Sequence, residues 1–377
     1  MMPTSRRATA LGLLALLVAG ACTVPGTGSA KAPSPAASSS RTSSPSATAS
    51  AVPSQSPSPA PVAGSYGVLV SPLSNSSYTV SLVGIDGRVV ASQVASTPGT
   101  VTCAGTAAAV VPPPVSTSNT RVYFMDALGV VRYLAPNGDA GQTITLPIGP
   151  ARRSLFAVSP DDSLMAVVVV DFAQGGATTN LYMYQLQPAG SKPLLFQQSG
   201  AYTLWPTGWH GATSLVLAKA PACTQGGGPF CCGPQEFHVV DPHTAVRRFT
   251  VGSAGCVIAG APSPAGAVCE DTATFGQLNV LDWTGAPSHQ YPISGATPAY
   301  LSPDGALVAV VAFGAPITTL VPTNAAATLA ACAWIDSTHL LSGGDAQHQP
   351  SVANITNGQV VPVAALGDCA GRIPGGL

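Results

Sequence analysis

Charge is scarce in this 377-residue chain: Asp, Glu, Lys and Arg together make up 8% of it, against roughly 25% in an average soluble protein. Aromatic residues are 6%, and Glu and Lys are few. After residue 21 no apolar run approaches a membrane span; even Leu307–Leu320 is broken by Gly314 and Pro316. With 40 Gly and 36 Pro, the chain is poor helix material and suits many short strands joined by turns. Catalytic signatures are missing too: there is no GxSxG elbow, P-loop, HExxH or EF-hand loop. The histidines His210, His238, His243, His289, His339 and His348 lack the HxxxH spacing of metal ligands. No metal and no cofactor is therefore expected, although a catalytic set drawn from distant parts of the chain would leave no local motif.

What is present begins at the N-terminus. Arg6 and Arg7 precede an apolar stretch, Ala8–Ala21, in the order of a secretory signal peptide. Leu17-Val18-Ala19-Gly20-Ala21-Cys22 resembles a bacterial lipobox, with Ala19 where that family more often has Leu. The resemblance implies lipid on the Cys22 sulfur and a cell-membrane anchor outside the cytoplasm; an ordinary signal peptide with an incidental Cys is the alternative. Ser5-Arg6-Arg7 leaves open Sec or twin-arginine export. Without residues 1–21, 12 basic face 15 acidic residues, a net charge of −3. That balance argues against nucleic acid as a partner. From Pro25 to about Pro61 the chain is nearly all Pro, Ser, Ala, Thr and Gly, too poor in apolar surface to offset the entropy of ordering. The expected layout is a signal peptide at 1–21, the lipidated Cys and a disordered tether at 22–63, and one domain at 64–377.

Beyond Cys22 the domain holds Cys103, Cys223, Cys231, Cys232, Cys256, Cys269, Cys332 and Cys369. An even number in an exported chain reads as disulfides. Cys256 and Cys269 flank a turn and could meet across adjacent strands. Cys223 could pair with Cys231 or Cys232, and Cys332–Cys369 is a third possibility.

The body repeats. Strand–turn–strand units occur at Tyr78–Val90, Val122–Leu134, Leu181–Phe196, Phe237–Thr244, Leu278–Gly285 and Val352–Val361, with a weaker one at Thr318–Thr328. Gly87 and Gly358 lie 271 residues apart, so seven units average about 45 residues, the length of a four-stranded propeller blade. Between hairpins, Ser159-Pro160-Asp161-Asp162-Ser163-Leu164-Met165-Ala166-Val167 aligns with Ser302-Pro303-Asp304-Gly305-Ala306-Leu307-Val308-Ala309-Val310, and Ser263-Pro264-Ala265-Gly266 is a degenerate copy. Trp209–Val216 likewise aligns with Trp334–Leu341. This pattern resembles the repeat of TolB-type and related WD40-like β-propellers over about residues 66–366. It implies an all-β fold, a single propeller of seven four-stranded blades, with the motif between a blade's first and second strands. The rival is a pair of β-sandwiches, which would lack the uniform spacing.

Most acidic residues fall in turns, which explains them without function. Glu270 and Asp271 adjoin and follow a buried-looking strand, so they are the candidate catalytic carboxylates; a solvated strand end is the plain alternative. The Gly-rich excursion Lys219–Gln235 is the largest departure from the repeat and a candidate recognition loop. The expected function is a non-enzymatic binding or scaffold module for an envelope protein or glycan. The alternative is a propeller-class enzyme, a lyase or glycan hydrolase, at the central channel mouth. Glu270, Asp271, Asp171 and Asp345 discriminate: convergence at the channel favours the enzyme, scattered positions favour binding.

Overall fold

A computed structural model describes residues 64–72, 76–101, 114–173, 176–186, 190, 193–222, 234–294, 298–312 and 314–377. Cys22, the tether, Cys103, Cys223, Cys231 and Cys232 lie outside the described residues. Among those described there is no helix, and 28 strands form seven four-stranded antiparallel sheets arranged as the blades of one propeller. No described helix is long and apolar enough to cross a membrane, since there is none.

Six blades are contiguous in sequence. Blade II holds β4 (Val115–Thr117), β5 (Val122–Met125), β6 (Val130–Leu134) and β7 (Ala140–Thr145). Blade III holds β8 (Arg152–Val158), β9 (Leu164–Ala173), β10 (Gly176–Gln185) and β11 (Leu194–Gly200). In blade IV come β12 (Tyr202–His210), β13 (Ser214–Pro221), β14 (Glu236–Val240) and β15 (Arg247–Val251). Blade V has β16 (Cys256–Ile258), β17 (Ala267–Asp271), β18 (Gln277–Leu281) and β19 (Pro287–Pro292). Blade VI has β20 (Ala299–Leu301), β21 (Val308–Val311), β22 (Thr318–Val321) and β23 (Ala325–Ala327). Blade VII has β24 (Ala331–Asp336), β25 (His339–Ser342), β26 (Ser351–Asn354) and β27 (Val360–Pro362). Blade I alone draws on both ends of the chain. Its second to fourth strands are β1 (Tyr66–Val70), β2 (Ser77–Gly84) and β3 (Val89–Ser96), and its first is β28 (Asp368–Ile373). Ring closure is thus the antiparallel pairing of Tyr66 with Ile373 through Val70 with Asp368.

The core is seven apolar clusters, one between each pair of neighbouring blades. Each sheet is buried on both faces, so side chains alternating along one strand feed two different clusters. Val122 and Phe124 pack toward blade I, while Tyr123 and Met125 pack toward blade III. That is why the middle strands read as continuous apolar runs, while the outer strand β3 alternates between half-buried and exposed over most of its length.

The repeated motif lies between first and second strands, as the resemblance implied. Ser302 Oγ donates to Asp304 Oδ1 (2.6 Å) and accepts from the Leu307 N–H (3.0 Å), while Asp304 Oδ1 accepts from the Ala306 N–H (3.1 Å). Ser159 and Asp161 repeat these bonds, and Asp162 occupies the place of Gly305, both with positive φ (61° and 76°). One unit is out of phase. The hairpin Val122–Leu134 joins second and third strands, whereas the other six units join third and fourth; its true counterpart is β6–β7 around Asn137-Gly138. Asp126 and Gly129 build the same kind of turn at the opposite blade end, and turn chemistry alone does not tell the ends apart.

Two of the expected disulfides are present. Cys256–Cys269 joins the first two strands of blade V, and Cys332–Cys369 joins blade VII to the closing strand.

Candidate functional site

Antiparallel order gives the ring two faces. One, the motif face, carries the turns between first and second strands and between third and fourth. The opposite face carries the loops between second and third strands and the blade-to-blade connections. The described domain starts on the motif face, where Tyr66 pairs with Ile373.

Glu270, Asp271, Asp171 and Asp345 all sit at the opposite face, in blades V, III and VII, and they are not brought together. Among the described residues no three His, Cys, Asp or Glu side chains form a metal-holding group. Asp271 Oδ1 accepts from the N–H groups of Ala273 (2.9 Å) and Thr274 (3.0 Å), so it shapes its own loop. Asp171 pairs with Arg152. Asp345 accepts from the N–H groups of Gln347 and His348, and those bonds hold its carboxyl below the ordinary value. Glu270 differs: it is 8% exposed, its Oε1 has no hydrogen-bond partner, and burial pushes its carboxyl up. Its neighbours across the sheet are Val257 and Leu278.

Turn roles hold for the other acids. Asp86, Asp126, Asp241 and Asp282 each accept backbone N–H bonds in their hairpins. Asp162 was not legible as more than a turn residue, yet it bridges blades: buried, it accepts from Thr120 Oγ1 (2.5 Å) and Tyr123 Oη (2.7 Å). Burial, with the Asp162 charge beside it, drives the Tyr123 phenol far up.

The candidate recognition loop emerges on the opposite face between β13 and β14; residues 223–233 lie outside the described part. Its base is a polar cluster. Glu236 Oε1 accepts from Lys219 Nζ (3.3 Å) and contacts His238 Nε2 (2.8 Å), and Lys219 Nζ stands 5.0 Å from the centre of the Tyr202 ring. Burial raises the Glu236 carboxyl, but the bonds from His238 and Lys219 outweigh it and the net shift is downward. Burial lowers His238. Around the same face, Leu128, Tyr202, Phe275, Ile317 and Leu366 are each at least 38% exposed, on loops and strand ends of blades II, IV, V and VI and before the closing strand.

A shallow cavity of about 180 Å³ opens on the motif face at the blade VII–blade I seam, lined by Ile85, Asp86, His339, Val352, Asn354, Gln359 and Val361. Its deepest polar group is already engaged. His339 Nδ1 meets both Asp336 oxygens (2.9 and 3.0 Å), and its Nε2 lies 3.1 Å from Asn354 Nδ2.

No protein-family model matches the chain, and no curated protein matches it. Solved structures similar to it include a chain of a mitotic checkpoint complex, at 12% identity and TM-score 0.42 over 70% of this chain and 77% of that one. The dihydro-heme d1 dehydrogenase NirN in complex with DHE is similar at 14% identity and TM-score 0.41, over 81% and 63%. Hsv2 of Kluyveromyces lactis is similar at 12% identity and TM-score 0.40, over 64% and 74%. Likenesses of this size bear on no function, and the seven-bladed architecture of this chain rests on its own strand pairing.

Proposed function

We propose that this chain is an exported bacterial lipoprotein, acylated at Cys22, whose TolB-like propeller is a non-enzymatic binding module for a protein or glycan of the cell envelope. The carrying observation is the face opposite the motif turns. It presents Leu128, Tyr202, Phe275, Ile317 and Leu366 to solvent, on the same face as the Lys219–Glu236 pair. The two cystines are compatible with an extracytoplasmic location.

The test is capture from envelope extract by the full-length mature chain, compared with Phe275→Ser/Ile317→Ser and with the motif-face control Val246→Ser. Loss of one reproducible protein or glycan in the first variant alone supports the reading. Equal capture by all three removes the face from it. A second reading, a propeller-class lyase or glycan hydrolase, rests on Glu270, the acid with a buried unbonded oxygen. Glycan turnover abolished by Glu270→Gln would establish it.

A further inference from the structure

We propose that ring closure in this propeller is latched by oxidation: the Cys332–Cys369 disulfide holds the closing strand β28 against blade VII, and its reduction opens the ring at blade I. Six blades keep their four strands through turns and loops of the continuous chain, but β28 reaches β1 from the far end of the sequence. Its pairing with β1 is also interrupted, by a register shift between Gly67 and Leu69. The disulfide adds a covalent tie at β24 to the short connection, residues 363–367, and the Gly344–Gly367 backbone bridge that already fix β28 to blade VII. Cys332 lies on β24, the first strand of blade VII, and Cys369 on β28, so the bond spans a seam between blades. Cys256–Cys269, by contrast, ties two strands already joined by a short turn.

Access separates the two bonds further. Cys332 and Cys369 are both half-buried; of the other pair Cys256 is half-buried and Cys269 fully buried. A thiolate must reach a sulfur to exchange with it, and the seam bond offers two partly open sulfurs where Cys256–Cys269 offers one. The reaction is a two-electron exchange with a dithiol. Its thiolate attacks one sulfur, the Cys332–Cys369 bond breaks, two cysteine thiols form with the reductant's protons, and the reductant leaves as a cyclic disulfide. Without the latch, β28 is held by the β1 ladder, by the packing of Ile373 and Cys369, and by backbone bonds at its two ends, Gly344 with Gly367 before it and Gly375 to Ser118 and Leu377 to Trp209 after it. When it departs, β1 becomes an edge strand with unpaired N–H and C=O groups.

The experiment is amide hydrogen exchange on the full chain, oxidised and in dithiothreitol, with Cys332→Ser/Cys369→Ser and Cys256→Ser/Cys269→Ser run oxidised. The expected result is exchange at least about tenfold faster in β28 and β1, in dithiothreitol and in the first variant, with β8–β14 unchanged and the second variant keeping β28 protected. Should the first variant fail to fold, reduction of folded wild-type chain still reads the same strands. Equal protection of β28 in oxidised and reduced chain overturns the proposal, as does uniform loss of protection over all blades.

Discussion

Glu270 carries a buried carboxylate oxygen that nothing bonds. Burial raises its carboxyl above the ordinary glutamate value, so the folded state prefers the protonated form. The stability this gives is fully present below the unfolded value of about 4.3 and is lost as pH rises through the folded one. Glu270→Gln cannot ionise and should escape that loss. Thermal midpoints measured from pH 3 to 8 should coincide near pH 3, with the variant pulling ahead as pH rises; parallel curves would show that Glu270 has a partner. Asp271, its neighbour in sequence, is bonded by its own loop. The pair was legible as adjacent acids, but strand alternation turns one side chain toward the apolar V–VI groove and the other to the loop.

Asp162 acts at the scale of the elements it connects. It lies in the turn after β8, and the hydroxyls it accepts from, Thr120 and Tyr123, belong to blade II. Asp162→Ala leaves two buried hydroxyls without their acceptor and puts Ala at φ 61°, a loss of about 3 kcal/mol. Asp162→Gly tolerates that φ and loses only the bonds, so it should be less damaging in urea unfolding. Equal losses would assign the whole effect to the bonds. Hairpins and the Ser-Pro-Asp motif were legible because their bonds close within five residues. The phase of the Val122–Leu134 hairpin was not, because Asp126-to-Gly129 and Asn137-Gly138 both offer turn residues and only packing assigns them to faces.

At the scale of the molecule, the arrangement depends on closure by β28. In the chain-entropy picture a cross-link spanning the 37-residue separation of Cys332 and Cys369 contributes about 4 kcal/mol, which makes the seam the natural place for one. The proposed lipid anchor is tested at the same scale. Cys22→Ala should move the protein from the membrane fraction to the soluble extracytoplasmic fraction or medium; unchanged retention after carbonate washing would overturn lipid anchoring.

The sequence by itself determined the all-β class and seven repeats of about 45 residues, and its resemblance to propeller repeats implied the motif's place between first and second strands. Such features rest on contacts among residues close along the chain, where turn chemistry and periodicity act directly. Only the tertiary structure decided that Asp368–Ile373 completes blade I, that Asp162 bridges two blades and that Glu270 lies buried without a partner. It also decided that Glu270 and Asp271, Asp171 and Asp345 stand on three different blades. Those facts concern residues distant in sequence, and their proximity is set by how seven two-faced sheets pack around one ring.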